Sequence, residues 1–412
     1  MSNVPMRRVV ITGLGAISPL GVGTEALWQG LREGRSGIRL LHHPDAAKLR
    51  VKIAAQVPAS FDPAANIDER TLPQLDRTSE FALHAAREAV AQSGLDFRRD
   101  GLGARTGVVV GTGVGGETTH DEQSRRLYAE NSTRTHPLTI VRLMTNASAS
   151  QISIAYGLRG PTFAVASACA STNHAVIQAM QLIRYGLADV AISGGTEACL
   201  SYGALRAWEA MRVLADDTCR PFSANRRGLV LGEGAGIFVL ESLEHAQAQA
   251  RGATILAELA GAGMTADATD IVSPSADGAA AAMAQALADA GLMPGDVDYI
   301  NAHGTGTLAN DATETKAIRL AFGAHADRLA VSSTKSMHGH ALGASGALEL
   351  VAVIGALRDG VVPPTANLDQ PDPACNLDYV PNVAREMPVR AALTNSFAFG
   401  GLNAVLALKR AP

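Results

Sequence analysis

The sequence predicts an α/β fold with a two-fold division along the chain. Short β-branched runs alternate with Ala-rich helical stretches along all 412 residues. That is the pattern of sheets covered by helices on both faces. The alternation starts twice, with a strand at Arg8 and again with one near Ile255. Hydrophobic residues make up 47% and charged residues 18%, which supports a sizeable core and excludes a disordered chain.

The elements follow in order. Residues 8–12 (RVVIT) form a β-branched run that ends in glycines, and further strands are expected at 106–110, 162–166 and 190–193. In the second half they fall at 236–240, 255–259, 299–301, 329–332, 391–394 and 404–408. Helices are expected at 79–92, 171–184, 278–290, 309–321 and 343–358. The polar stretch 241–253 is not Gly/Ser-rich, so it reads as a helical joint between packed halves, 1–250 and 251–412.

Charge and cysteine use narrow the function. Lys plus Arg is 35 and Asp plus Glu is 39, a net charge of −4, and aromatics are 4%. A nucleic-acid binder would carry a basic face and rings to stack on bases. Four cysteines without a CxxC pair make no disulfide framework. No signal segment is visible, and the longest apolar stretch, 342–357, contains Glu349. A soluble, cytoplasmic protein without a membrane span is expected.

Four segments carry chemistry. Cys169 (VASACASTNH) stands where a strand ends and a helix begins, a place where free N–H groups and the helix dipole lower a thiol's pKa. A nucleophile and a small buried cysteine both fit this segment alone. His303 lies in a Gly/Thr loop (NAHGTGT) at a strand end, where α/β proteins place ligands. Thr305 and Thr307 offer hydroxyls there. Residues 332–349 (SSTKSMHGHALGASGALE) put Lys335 beside His340 ahead of a helix bearing Glu349. His338 reads as a solvated loop residue. Finally, NSFAFGGLNA places Phe397 and Phe399 beside Gly400 and Gly401, able to line or gate an apolar pocket.

Two alternatives are set aside. The glycine runs 13–15 and 111–116 lack the third glycine of a dinucleotide fingerprint and the Lys-Ser/Thr of a phosphate loop. No metal is expected, since HEXXH and a two-cysteine clamp are both absent.

Taken together the segments resemble the β-ketoacyl-acyl-carrier-protein synthases, type II elongating condensing enzymes. The resemblance runs from RRVVITGLGAISPLG (7–21) through YGLRGP, ACAST, RPF, GEGAG, HGTGT and STKS…GH to FGGLNAVL (399–406). It implies a thiolase-like five-layered αβαβα fold built from two similar halves and decarboxylative condensation of an acyl chain on Cys169 with malonyl-acyl carrier protein. His303 and His340 would stabilise the enolate, Lys335 would position them and Glu349 would support the loop. The N–H groups of Cys169 and Phe399 would form the oxyanion hole, with Phe399 also the gate. Thr305 and Thr307 would bind the pantetheine arm, and Phe397, Gly400, Gly401 and Val114 would line the substrate site. Val114 and residues 138–147 would shape the acyl pocket across a dimer interface. No cofactor is implied, because phosphopantetheine arrives on the carrier. A homodimer is implied, and a heterodimer with a related subunit is compatible. A non-catalytic chain-length-factor-like subunit is the rival reading, and a coenzyme-A-using thiolase or initiating synthase a third; the pair of histidines speaks against both. Residues 223–228, Ala398, Leu402 and His338 depart from the family's usual pattern. Few basic residues follow Asp62, so carrier docking is expected at Arg125, Arg126, Arg206 and Arg212.

Overall fold

A computed structural model describes residues 6–248 and 252–411. The first half contributes strands β1 (Val9–Ser18), β2 (Thr106–Gly111), β3 (Thr162–Val165), β4 (Val190–Glu197) and β5 (Gly234–Ser242). The second contributes β6 (Ala257–Ala266), β7 (Tyr299–Asn301), β8 (Ala330–Ser332), β9 (Ala391–Ala398) and β10 (Leu402–Arg410). Counting strands within each half, both sheets have the order 3-2-4-5-1. Pairing also repeats: the first strand is antiparallel to the fifth and the fifth to the fourth. The fourth is parallel to the second and the second to the third. The two sheets join edge to edge through β1 and β6, antiparallel over Val9–Ile11 and Ala257–Leu259.

Helices fill the layers between and outside the sheets. Helix α1 (Arg77–Ser93) covers the outer face of β1 and β5, with α2 (Ala147–Tyr156) packed beside it; α4 (Ala276–Ala290) covers β6 and β10. Between the halves lie α3 (Ser171–Arg184) and α6 (Ser345–Asp359), each touching strands of both sheets. The middle layer explains the long apolar stretch of the sequence. A helix apolar all round belongs inside, and α6 is buried at every position from Ser345 to Leu357. Outer α1 instead has an apolar stripe, is capped by Asp76, and ends at Gly94 in the left-handed conformation.

The expected helices and strands are all present, most strands running a few residues further than their β-branched cores. Helix α3 spans the expected residues, and α5 (Leu308–Phe322) extends its expected range by one residue at each end. Of the polar joint, Leu243–Ala248 is helical; the expected boundary at 250/251 lies outside the described residues. No described helix is long and apolar enough to cross a membrane.

Candidate active site

The repeated topology decides what meets at the centre. In each half a one-turn 3-10 helix precedes the buried middle helix: Ala168–Ala170 before α3, Leu342–Ala344 before α6. Each turn opens on a residue with positive φ, Ala168 at 49° and Leu342 at 43°, a strained entry for a side chain with a Cβ. The thiol of Cys169 therefore has Gly343 as its counterpart in the second half. That half supplies imidazoles in its place: His303 from the loop after β7, and His340 from the segment after β8.

These side chains converge on a cavity of about 280 Å³ lined by Cys169, His303, His340, Phe397 and Phe399. One ring nitrogen of each histidine and Cys169 Sγ lie within 4.8 Å of one another. His340 Nε2 is 3.0 Å from Sγ, and the imidazoles meet edge to face at 5.4 Å. The Lys335 ammonium, wholly buried, donates to the His303 carbonyl at 2.7 Å and to Glu349, and lies 3.4 Å from His303 Nδ1. An ammonium can only donate, so Nδ1 accepts and the His303 proton sits on Nε2. The Ser345 hydroxyl, which can donate or accept, lies 2.7 Å from His340 Nδ1; donating there, it leaves the His340 proton on Nε2. With that tautomer two Nε2–H donors flank the sulfur.

Burial, then Lys335, holds both imidazoles well below the ordinary histidine range, so they are neutral at pH 7. Burial likewise pushes Glu349 up to about 7 against the pull of Lys335. The expected low thiol pKa does not hold. Cys169 is only 6% exposed, and desolvation pushes it up to about 12, outweighing the pull of Lys335. At rest the nucleophile is a thiol. His338 also differs from expectation. It is fully buried, bonded through Nε2 to Thr334 at 3.0 Å, and pushed down to about 3.

Comparison with known proteins identifies the family. Residues 6–246 match the N-terminal domain of β-ketoacyl synthases, and residues 256–369 the C-terminal domain. The chain belongs to the β-ketoacyl synthase family. It is 52% identical to Nodulation protein E of Rhizobium meliloti (strain 1021), over 98% of this chain and 99% of that one. It is 43% identical to 3-oxoacyl-[acyl-carrier-protein] synthase 2 of Synechocystis sp. (strain ATCC 27184 / PCC 6803 / Kazusa), over the full length of both. The ishigamide ketosynthase/chain length factor superposes with a TM-score of 0.93 at 39% identity, covering 99% of this chain and 100% of that chain. A type II polyketide ketosynthase solved in complex with its acyl-carrier protein superposes at 0.86 and 33%, with the same coverage.

The remaining expected residues of this synthase distribute unevenly. Thr305, Thr307 and Gly401 line the cavity. The two hydroxyls are 2.9 Å apart, and Thr307 doubles as N-cap of α5, accepting from the Asn310 N–H at 3.3 Å. Gly400 and Gly401, at φ 85° and 69°, make the sharp turn between β9 and β10. A Cβ on Gly401 would lie 2.6 Å from that of Asp267. The Gly400 N–H donates to the Ile271 carbonyl, tying the turn to a neighbouring loop. Phe397 is buried, whereas Phe399 is 36% exposed. Val114 does not reach the Cys169 cavity; it lines an adjacent hollow with Trp208 between them. Residues 138–147 form no part of the cavity wall and expose Ile140, Val141 and Met144.

Sequence reading missed the carboxylates that hold the loops. Glu314 accepts the N–H groups of His303 and Gly304, both at 2.8 Å, and the Asn395 amide at 3.1 Å. Three residues earlier on α5, Asp311 accepts the N–H of Phe222, whose φ of 64° is unusual for an aromatic residue. Acids three apart on one helix face, just after a glycine-rich loop, were the available signal. Arg226, in the divergent 223–228 stretch, bonds the Thr307 and Leu308 carbonyls and Asp372, so the departure supports the loop. Glu197 ends β4 and joins the halves, accepting from Gly113 at 2.6 Å and Gly343 at 2.9 Å.

Proposed function

We propose that this chain catalyses decarboxylative condensation of an acyl group held on Cys169 with malonyl-acyl carrier protein, releasing a β-ketoacyl-acyl carrier protein two carbons longer. One observation carries the reading: the thiol and two imidazoles share one cavity, built from both halves. A chain-length subunit without chemistry has no use for that set, so the catalytic reading is favoured over the non-catalytic one.

The first step exchanges one thioester for another. Cys169 Sγ attacks the acyl carbonyl, the carrier's pantetheine sulfur leaves, and the thiol proton goes with it. The tetrahedral oxyanion is met by the N–H groups of Cys169 and Phe399. The Cys169 turn packs against β9, which delivers Phe399 to its end. Losing one such donor raises a barrier by about 2.7–4 kcal/mol. Malonyl thioester then enters past Thr305 and Thr307, with its carbonyl oxygen between the Nε2–H groups of His303 and His340. Loss of CO₂ leaves an enolate whose negative oxygen those donors stabilise. Its carbon attacks the acyl–Cys169 carbonyl, the C–S bond breaks, and the thiolate takes a proton from solvent. Neutral imidazoles suit this work, because an N–H donor that keeps its proton stabilises charge without altering the proton balance. Lys335 keeps them neutral, and Glu349 holds Lys335. No cofactor on this chain is required, because decarboxylation supplies the driving force.

We also infer a homodimer. Strand β3 is the outer edge of its sheet, is only half-buried, and exposes Phe163. An open apolar edge invites pairing with a second copy, and sedimentation as a 42.6 kDa monomer would contradict it. Greater identity to Nodulation protein E than to the synthase 2 proteins favours a role shared with the former.

The deciding experiment follows Cys169→Ala with carrier-bound malonate. Condensation should vanish while decarboxylation persists, since the enolate site does not need the thiol. His303→Ala should lose decarboxylation, and an undiminished rate would overturn the assigned role.

A further inference from the structure

The glycine run 111–116, which lacks the marks of a nucleotide loop, lies against the Cys169 turn. A Cβ on Gly111 would lie 2.4 Å from the Ser171 carbonyl carbon, and one on Gly113 would lie 2.7 Å from a Glu197 oxygen. On β4 the crowding is greater still. A Cβ on Gly195 would lie 1.9 Å from the Thr172 hydroxyl and 2.8 Å from the Gly343 carbonyl oxygen. Glycines from β2, the loop after it and β4 thus clear one space. It is filled by the peptide of Gly343, with two side chains of the first half upon it.

Both polar groups of Gly343 are taken by those side chains. Its N–H donates to Glu197 at 2.9 Å, and its carbonyl accepts from the Thr172 hydroxyl. Glu197 is fixed in turn by the Gly113 N–H at 2.6 Å and the Thr112 hydroxyl at 3.1 Å. Thr172 is fully buried in the first turn of α3, just after Cys169. The clamp therefore ties the turn before α6 to the helix start behind the nucleophile.

Just beyond Gly343 stands Ser345, whose hydroxyl meets His340 Nδ1 at 2.7 Å. The His340 backbone is held separately: its N–H donates to the Val230 carbonyl at 2.7 Å, and its carbonyl accepts from the Gly232 N–H at 2.9 Å. Those bonds fix where the imidazole is rooted, but its ring still turns about the side-chain torsions. The aim of the ring falls to Ser345, and the place of Ser345 falls to the clamp. Nε2 stands 3.0 Å from Cys169 Sγ.

We propose that Thr172 is a positioning residue for the condensation: with Glu197 it grips the Gly343 peptide, and through Ser345 it aims His340 Nε2 at the sulfur of Cys169. This rests on the condensing reading above. A hydroxyl that only filled space would be replaceable by a methyl group. One that aims a ring is not, since misplacing a reacting group by about 1 Å costs on the order of 10²-fold in rate.

Thr172→Val keeps the shape and removes the hydroxyl, whereas Thr172→Ser keeps the hydroxyl. Thr172→Val should lower kcat for condensation by about 10–10²-fold and slow alkylation of Cys169 by iodoacetamide by about tenfold, with KM for carrier-bound malonate little changed. Thr172→Ser should restore both rates. Nitrogen NMR of histidine-labelled protein reads the ring itself: His340 should show one tautomer in the wild-type protein and in Thr172→Ser, and a mixture in Thr172→Val. Adding Thr172→Val to Ser345→Ala should change nothing further, because both act along one path. If Thr172→Val does not fold, Ser345→Ala and Glu197→Gln decide, each expected to mix the tautomers and slow alkylation. Wild-type alkylation and a single His340 tautomer in these variants would show that Thr172 only packs, whatever the urea midpoint does, and overturn the proposal. Alkylation and NMR need no turnover, so a wild-type protein that forms no β-ketoacyl product strikes the condensing reading and not the aim of His340.

Discussion

A thiol pushed up to about 12 carries roughly one thiolate in 10⁵ molecules at pH 7, so the resting Cys169 depends on its neighbours for reactivity. The nearest is the His340 Nε2–H, 3.0 Å away, a donor that stabilises the developing sulfur anion. His340→Ala should therefore slow alkylation of Cys169 by iodoacetamide at pH 7 by about 10²–10³, the usual cost of one such donor. The remaining rate should climb about tenfold per pH unit from 7 to 10, because the thiolate fraction is still rising there. Intact mass after timed quenching reads both, and a plateau near pH 8.5, as for an exposed thiol, would sink the claim. The thiol and both imidazoles that the sequence singled out meet in one cavity, and the imidazoles are neutral as expected beside Lys335. Only the thiol's ionisation was misjudged, because a helix terminus is visible in a pattern, whereas depth of burial is a property of the whole fold. His338 failed for the same reason: loop-like neighbours conceal a fully buried ring.

Elements repeat between the halves, and the repeat is filled differently at one position. Where the first half has Cys169, the second has Gly343, packed so closely that a Cβ would sit 2.3 Å from the Gly113 nitrogen and 2.6 Å from a Glu197 oxygen. These neighbours are backbone and an anchored carboxylate, so neither can swing away. Gly343→Ala should cost about 1–3 kcal/mol by overpacking and also shift the turn that follows His340. A lowered urea midpoint together with slowed acylation of Cys169 would show both effects. An unchanged midpoint would mean that the junction between halves is looser than it appears from its hydrogen bonds. The succession of strands and helices along the chain was legible from the alternation of β-branched and Ala-rich runs; the order of strands within the sheet was not. Glu314 and Glu197 were not legible, since a buried carboxylate accepting N–H groups reads in sequence like any surface acid. Trp208, which lines the cavity, was missed because nothing in its segment marks a cavity wall.

At the scale of the molecule, a chain of net charge −4 must attract an acidic carrier through a local basic surface, so the position of its arginines matters more than their number. Arg206 lies on the helix Tyr202–Ala210 and Arg212 just beyond its end, while Arg125 and Arg126 lie on the neighbouring helix Glu117–Tyr128. Arg206 is already held by Glu209 at 2.6 Å, and Arg125 sits 3.8 Å from Asp45. Arg212 is exposed and held at a φ of 58° beside the helix end. Reversal of all four charges should raise KM for carrier-bound malonate at least tenfold at low salt while leaving turnover of a short thioester without carrier unchanged. Arg212→Glu alone should weaken carrier binding more than Arg206→Glu, whose partner Glu209 already offsets its charge. Added salt should narrow the gap between wild-type and variant, because exposed charges are screened within about 8–10 Å. Retained carrier affinity in the fourfold variant would place docking elsewhere on the surface, and equal losses with carrier-free and carrier-bound substrates would indicate a distorted cavity instead.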